Sequence, residues 1–180
     1  YLKYWNSLPK LSRYLISNRW GQPSDAIDLE TEGYSIHGIK FGKISILLQP
    51  ARGYDSESER DIHSPDLPPP HRYLAQYYWI ENIFNANAIC HIGKHGTVEW
   101  LPGKSVGLSK ECFPSIISPP LPNIYPFIVN DPGEGSQAKR RTAATIIDHL
   151  TPPLDRSELY GKYAILENYL DEYFEAKILN

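Results

Sequence analysis

The sequence has no methionine and only two cysteines in 180 residues. Cys90 and Cys112 form no C-x-x-C pair, which excludes a disulfide-stapled scaffold and a four-cysteine zinc site. An excess of basic charge is also missing. Lys and Arg number 18 against 21 Asp and Glu, a formal charge of −3, so no nucleic-acid partner is expected. No apolar run approaches the roughly 20 residues needed to cross a bilayer, and Tyr1-Leu2-Lys3-Tyr4-Trp5 lacks the plan of a secretory signal. These absences predict a reducing, cytoplasmic setting without a membrane span. The lack of methionine and the start at Tyr1 add the expectation of an interior segment of a larger multidomain subunit.

What the chain does have is punctuation, with 16 prolines and 12 glycines that divide it into short elements. Ser7-Leu8-Pro9 predicts a helix to Arg19, with Ser as cap, Pro in the first turn, Gly21 as stop, and Leu8, Leu11 and Leu15 on one face. Residues 22–42 read as loop or a short hairpin. Ile44-Ser45-Ile46-Leu47-Leu48 reads as a buried strand, and Pro65, Pro68, Pro69 and Pro70 enforce an extended loop. Leu74, Tyr77, Tyr78, Ile80, Ile83 and Phe84 recur at helical spacing between His71 and Asn85, and Ala86 to Ile92 reads as a second buried strand. Residues 44–92 therefore predict a βαβ unit with a parallel pair.

Ile124 to Val129 is a third strand candidate, which Pro126 assigns to an edge or an irregular stretch. Asp131-Pro132-Gly133-Glu134 predicts a helix start, and the helix continues through Ala138, Ala143, Ile146 and Ile147 to Leu150, where Pro152-Pro153 ends it. Asp155 and Glu158 form a second capping pair before a stripe of Leu159, Tyr163, Leu166, Leu170, Phe174 and Ile178. The expected class is α/β, a βαβ unit with a parallel sheet flanked by helices. Its parts are helix and loop over 1–43, an α/β core with site loops over 44–150, and a C-terminal helix over 151–180.

Chemistry concentrates in the segment from Cys90 to Lys104, which leaves the carboxyl end of a predicted strand, where open α/β sheets place ligands. His91, His95 and Glu99 would align on a continuous helix and could there hold a divalent metal. Gly93 and Gly96 oppose that helix, each by about 1 kcal/mol relative to Ala. A glycine-rich loop with His95 and Glu99 projecting from it is the alternative. A plainer reading has His91 end a strand and leaves Glu99 solvated. Gly103-Lys104-Ser105 fails as a phosphate loop, because the first glycine of that motif would fall at Val98. Lys104 remains an anion contact or a turn lysine. A second cluster, Asn130 to Gly135 followed by Lys139-Arg140-Arg141, offers a helix start that attracts anions. The three basic residues face different directions, so at most one or two could meet one ligand.

Taken together, several segments are specific. His91-Ile92-Gly93-Lys94-His95-Gly96-Thr97-Val98-Glu99-Trp100-Leu101-Pro102-Gly103-Lys104 resembles the signature of the large subunits of cobaltochelatase and magnesium chelatase. Leu48 to Tyr54, Pro68-Pro69-Pro70-His71, Leu121 through Arg141 and Leu150 to Leu154 resemble the same family in the same order. Residues 1–43 are the least diagnostic. Glu99-Trp100-Leu101-Pro102 and Ile128 through Gly135 look like the cobalt branch.

The resemblance implies ATP-dependent insertion of Co²⁺, the substrate metal, into a corrin-type ring, hydrogenobyrinic acid a,c-diamide, in cobalamin biosynthesis. It implies that this subunit binds tetrapyrrole and metal. ATP-Mg²⁺ would be bound by partner subunits, one an AAA+ ATPase and one carrying an adhesion-type domain. His95 and Glu99 are then expected as the metal-delivery or proton-accepting pair, with His91 a third metal-binding member. His71, Arg52, Lys104 and Arg140 are candidates to hold the ring, the three cations through its acidic side chains. Other readings stay open: a magnesium chelatase acting on protoporphyrin IX, a zinc-dependent hydrolase using His91, His95 and Glu99, and a non-catalytic tetrapyrrole-binding scaffold.

Overall fold

Helix α3 (His71–Asn82) begins where the proline run ends, because Pro70 at its N-cap holds an extended φ/ψ and needs no donor. In the computed structural model, which describes residues 1–28, 32–53, 64–127, 132–149 and 160–178, this helix organises the larger of two units, Tyr1–His149. Its inner face presents Tyr73, Leu74 and Tyr77 to Trp5, Leu8, Ile16, Val98, Leu101, Phe113 and Ile117. Each such side chain contributes about 1.5–3 kcal/mol by leaving water. His71 has no exposed surface. Its Nδ1 lies 3.0 Å from the Tyr1 hydroxyl and its Nε2 lies 3.0 Å from the Gly21 carbonyl. That pairing ties the start of α3 to both ends of the N-terminal helical segment.

That segment is two helices where the sequence predicts one. Pro9 takes an extended backbone and breaks α1 (Leu2–Ser7) from α2 (Lys10–Trp20). Ser7 turns its hydroxyl back onto the Tyr4 carbonyl at 2.6 Å instead of capping α2. The buried face of α2 is Ser12 and Ile16, while Leu11 and Leu15 are exposed. Gly21 ends α2 as expected, with φ +76.

The parallel sheet is present, but not where residues 44–92 predict it. Strands β1 (Gly38–Phe41) and β2 (Ile44–Leu47) form an antiparallel hairpin across the turn at Gly42-Lys43, with Ile39 opposite Ile46 and Phe41 opposite Ile44. The β-branched run that suggested a buried strand belongs to this hairpin, and Ile44 and Ile46 are exposed. The three-stranded sheet is β3 (Ile89–Cys90), β4 (Asn123–Pro126) and β5 (Thr145–Ile147), in that order, with both pairs parallel. β4 is therefore central rather than an edge. Pro126 is tolerated as its last residue, beyond Ile124, where pairing with β3 stops.

Helix α5 (Pro132–Thr142) ends earlier than predicted. Ala143 adopts a left-handed φ of +51, the Ala144 amide returns to the Ala138 carbonyl at 3.3 Å, and Thr145-Ile146-Ile147 becomes β5. A β-branched trio had been absorbed into a helical period. The β4–α5–β5 stretch is the parallel crossover of this fold, packed on Tyr125, Phe127, Ala138 and Ala144. The short helix α4 (Phe113–Ile117) completes the first unit.

The second unit, Leu150–Asn180, contains α6 (Lys162–Ile178). Tyr163, Leu166, Leu170 and Phe174 on its apolar stripe are exposed. The predicted caps at Asp131, Asp155 and Glu158, the Pro152-Pro153 stop, Leu159 of the stripe, and residues 128–130 lie outside the described residues.

Two measurements check this account. Ala143→Gly relieves a left-handed alanine, and after allowing for the greater freedom of glycine in the unfolded chain it should stabilise by about 0.5 kcal/mol, seen as a higher Tm. Burial lowers the pKa of His71, against the opposing hydrogen bond to Gly21. The folded state therefore resists protonation. Stability should be full above the ordinary histidine pKa of about 6.5 and fall as pH drops toward the lowered native value, a slope absent in His71→Gln.

Candidate functional site

Two segments leave the carboxyl ends of adjacent parallel strands and meet. The loop from His91 to Thr97 follows β3, with Gly93 bridging to Phe127, and a 3₁₀ turn at Val98–Trp100 completes it. Helix α5 follows β4 and carries Glu134 in its first turn. This is the crevice position expected of open parallel sheets.

Glu99 is inside rather than solvated, with 2% of its surface exposed. A carboxylate so placed needs donors. Its Oε1 accepts from the Gly96 amide at 3.1 Å and from the Tyr125 hydroxyl at 2.7 Å, and the Gly96 amide also meets the Tyr125 hydroxyl. Burial, reinforced by the charge of Glu99, pushes the Tyr125 hydroxyl far above its usual pKa. It stays protonated and donates. Space at Gly96 is tight: a Cβ there would stand 3.3 Å from Glu99 Oε2 and 3.4 Å from both Gln49 Nε2 and the Tyr125 hydroxyl.

A second network fixes the same loop from the α3 side. Asn123 Nδ2 donates to the Thr142 carbonyl at 3.2 Å, which turns its Oδ1 toward His91 Nδ1 at 2.8 Å. His91 Nδ1 must then carry the proton, and its Nε2 accepts from the Tyr77 hydroxyl at 3.1 Å. Tyr77 accepts from Gln49 Nε2 at 2.8 Å. Gln49 Oε1 in turn accepts from the Thr97 amide at 3.0 Å and the Thr97 hydroxyl at 3.1 Å, and the Tyr73 hydroxyl donates to Thr97 Oγ1 at 2.7 Å. The rings of Tyr73, Tyr77, His91 and Tyr125 stack in series at centroid separations of 5.4, 6.3 and 5.6 Å. Donor and acceptor roles run one way along this chain, which selects a single neutral tautomer of His91.

Two arginines clamp the backbone beyond the loop. Arg141 donates to the carbonyls of Glu99 at 2.5 Å, Leu101 at 2.8 Å and Lys104 at 3.1 Å. Arg52 donates to Trp100 at 3.3 Å, Ser64 at 3.1 Å and Leu67 at 2.9 Å. Both side chains are buried. Carbonyl clusters of this kind take up most of the donors of a buried guanidinium.

His95 projects differently. Its Nδ1 lies 2.7 Å from the Gly96 carbonyl and so carries a proton, which leaves Nε2 facing Glu134 Oε1 at 3.9 Å. The imidazole leans on the Trp100 ring at 5.9 Å. With side-chain exposures of 12% and 21%, His95 and Glu134 are the accessible acid–base pair here. An imidazole nitrogen and a carboxylate at this spacing can receive a divalent cation or a proton.

The predicted site residues thus separate. The glycine-bent loop is observed in place of a helix, but His95 and Glu99, expected as one pair, have different partners: Glu99 is buried in the 3₁₀ turn against Gly96 and Tyr125, and His95 faces Glu134. Both ring nitrogens of His91 are hydrogen-bonded, and among the described residues no three His, Cys, Asp or Glu side chains come together as a metal-holding group. His71 and Arg52 are buried as structural ties, which removes them from any ring-binding surface. Lys104 and Arg140 are exposed, and Lys104 serves the fold through its carbonyl. Sequence reasoning missed the roles of Gln49, Asn123 and Tyr125, read Arg141 only as one of three basic residues near an anion site, and read Glu134 only as part of a helix start. The alternation of Tyr125 with Phe127 across a strand was the available signal for Tyr125.

The family model described as CobN/Magnesium Chelatase matches residues 1–180. The chain is 50% identical to the aerobic cobaltochelatase subunit CobN of Pseudomonas aeruginosa, over 100% of this chain and 14% of that protein. It is 36% identical to the magnesium-chelatase subunit ChlH of Oryza sativa subsp. indica, over 91% of this chain and 12% of that protein. The solved catalytic subunit of cobaltochelatase from Mycobacterium tuberculosis superposes with a TM-score of 0.75 at 42% identity, over 99% of this chain and 16% of that one. The chain thus spans about a seventh of the length of such a relative.

Tyr125→Phe keeps the ring stack but removes one donor from a buried carboxylate. It should destabilise by about 1–3 kcal/mol in chemical denaturation, whereas Tyr169→Phe on exposed α6 should change stability by less than about 0.5 kcal/mol.

Proposed function

The chain belongs to the CobN/magnesium chelatase family, and from that premise we propose that it forms the metal-handling part of a chelatase large subunit that inserts Co²⁺ into a corrin-type tetrapyrrole. The observation that carries this reading is the His95–Glu134 pair, 3.9 Å apart, at the carboxyl end of the parallel sheet and beside the buried Glu99. Cobalt is favoured over magnesium by the higher identity to the Pseudomonas aeruginosa cobaltochelatase subunit, 50%, than to the rice magnesium-chelatase subunit, 36%.

Insertion strips water from the divalent ion, passes it to ring nitrogens and takes protons from those nitrogens. A neutral imidazole serves as ligand and base at neutral pH. His95 Nε2 meets the ion or the ring proton, and Glu134 stabilises the charge that results. The buried Glu99 holds the Gly96 amide, while Gln49 accepts from the Thr97 amide and so holds the Gly96–Thr97 peptide whose carbonyl meets His95 Nδ1 and sets its tautomer. His91 acts as a positioning residue rather than a ligand. The ring is hydrogenobyrinic acid a,c-diamide on the aerobic route to cobalamin. ATP is hydrolysed on partner subunits, an AAA+ ATPase and one with an adhesion-type domain, in keeping with the failed phosphate-loop pattern here. The zinc-hydrolase reading required a helix over 91–99. That segment is a loop and a 3₁₀ turn.

The test is Co²⁺ insertion by the complete subunit with its motor partners and ATP. His95→Ala and Glu134→Gln should each lower turnover by about 100-fold or more, and Mg²⁺ should not replace Co²⁺. Wild-type turnover in both variants would overturn the assignment. Ring binding by the wild type without any metal product would favour the scaffold reading.

A further inference from the structure

Arg52, the cation expected to hold an acidic side chain of the ring, is buried among carbonyls, and another arginine occupies an open cleft. This cleft of about 510 Å³ lies between the start of α3, His37 and the chain from Leu48 to Gly53. Such a volume falls within the usual range for small-molecule sites. Its wall includes Gln49, the side chain that grips Thr97 of the His95 loop, so cleft and loop share one residue. Leu48 and Pro50 supply apolar surface, Gln76 a neutral amide, and Arg72 a cation. No Asp or Glu stands among the described lining residues of this cleft, while on its other side Arg72 borders a smaller pocket that Asp25 and Asp28 also line.

The guanidinium of Arg72 is oriented but not saturated. Nε donates to the Ser35 carbonyl at 2.9 Å, and Nη2 donates to His37 Nε2 at 2.6 Å. A histidine that accepts is neutral, so His37 fixes the arginine without offsetting its charge. The third nitrogen, Nη1, has no hydrogen-bond partner among the described residues. A cation held by two neutral acceptors, with its remaining donors at an apolar-walled cleft, is pre-organised for an anion.

We infer that Arg72 forms a subsite for a carboxylate side chain of the macrocycle, positioning the ring against the His95 loop, with Leu48 and Pro50 on its apolar edge. This rests on the tetrapyrrole reading above and adds to it the residue that reads the acidic periphery. A carboxylate is favoured over a phosphate because one free nitrogen and one neutral amide suit a single planar acid group better than a multiply charged tetrahedral one.

The experiment titrates the complete subunit with hydrogenobyrinic acid a,c-diamide, which keeps free carboxylate side chains, and with the same ring fully amidated, following quenching of tryptophan fluorescence. The wild type should bind the acid form about 10-fold or more tightly than the amide. Arg72→Gln should abolish that preference by weakening only the acid form, and Arg72→Lys should retain part of it. Inorganic phosphate at millimolar concentration should not compete. Equal weakening of both rings, which a merely structural role for Arg72 would give, overturns the inference. So does an unchanged preference in Arg72→Gln, an absent preference in the wild type, or competition by phosphate. If the wild type binds neither ring, the tetrapyrrole reading fails first and takes the subsite with it.

Discussion

A carboxylate removed from water must be met by donors, and the way Glu99 is met shapes everything around it. Its two donors, the Gly96 amide and the Tyr125 hydroxyl, come from the loop after β3 and from the central strand. That joint fixes the glycine turn on the sheet. The turn sets the Gly96 carbonyl, the carbonyl selects the proton position on His95, and the remaining nitrogen faces Glu134. Gln49, on the Thr97 amide of the Gly96–Thr97 peptide, shares in setting that carbonyl. Burial keeps Tyr125 protonated, so its hydroxyl remains a donor over the physiological range.

Around this joint many of the described contacts are neutral hydrogen bonds and backbone carbonyls. Gln49, Tyr77, His91 and Asn123 form a chain with one consistent polarity, and Arg52 and Arg141 spend their donors on carbonyl oxygens. Networks of this sort rigidify when every member is satisfied.

The class, the parallel sheet and the glycine-bent loop were legible in the sequence because each has a local cause: turn residues, β-branched runs and a strand end. The partnership of strands was not. Ile44 to Leu47 and Thr145 to Ile147 look alike as short apolar runs, yet the first closes a hairpin and the second joins the sheet. Only long-range pairing distinguishes them. The chemistry of His71 and Arg52 was misread for a related reason. A histidine after a proline run and an arginine before a glycine look exposed in one dimension, but one enters the core and the other collects three carbonyls. Glu134 was visible only as a helix-cap residue, since its nearness to His95 arises from two connections leaving adjacent strands.

The central claim is that His95 and Glu134 act as one unit on the metal or the ring proton, and a double-mutant cycle on the Co²⁺ insertion rate of the complete subunit tests it most directly. Residues that work as a unit are non-additive, so His95→Ala combined with Glu134→Gln should be no slower than the worse single variant. Losses that multiply in the double variant would show two independent roles and contradict the account.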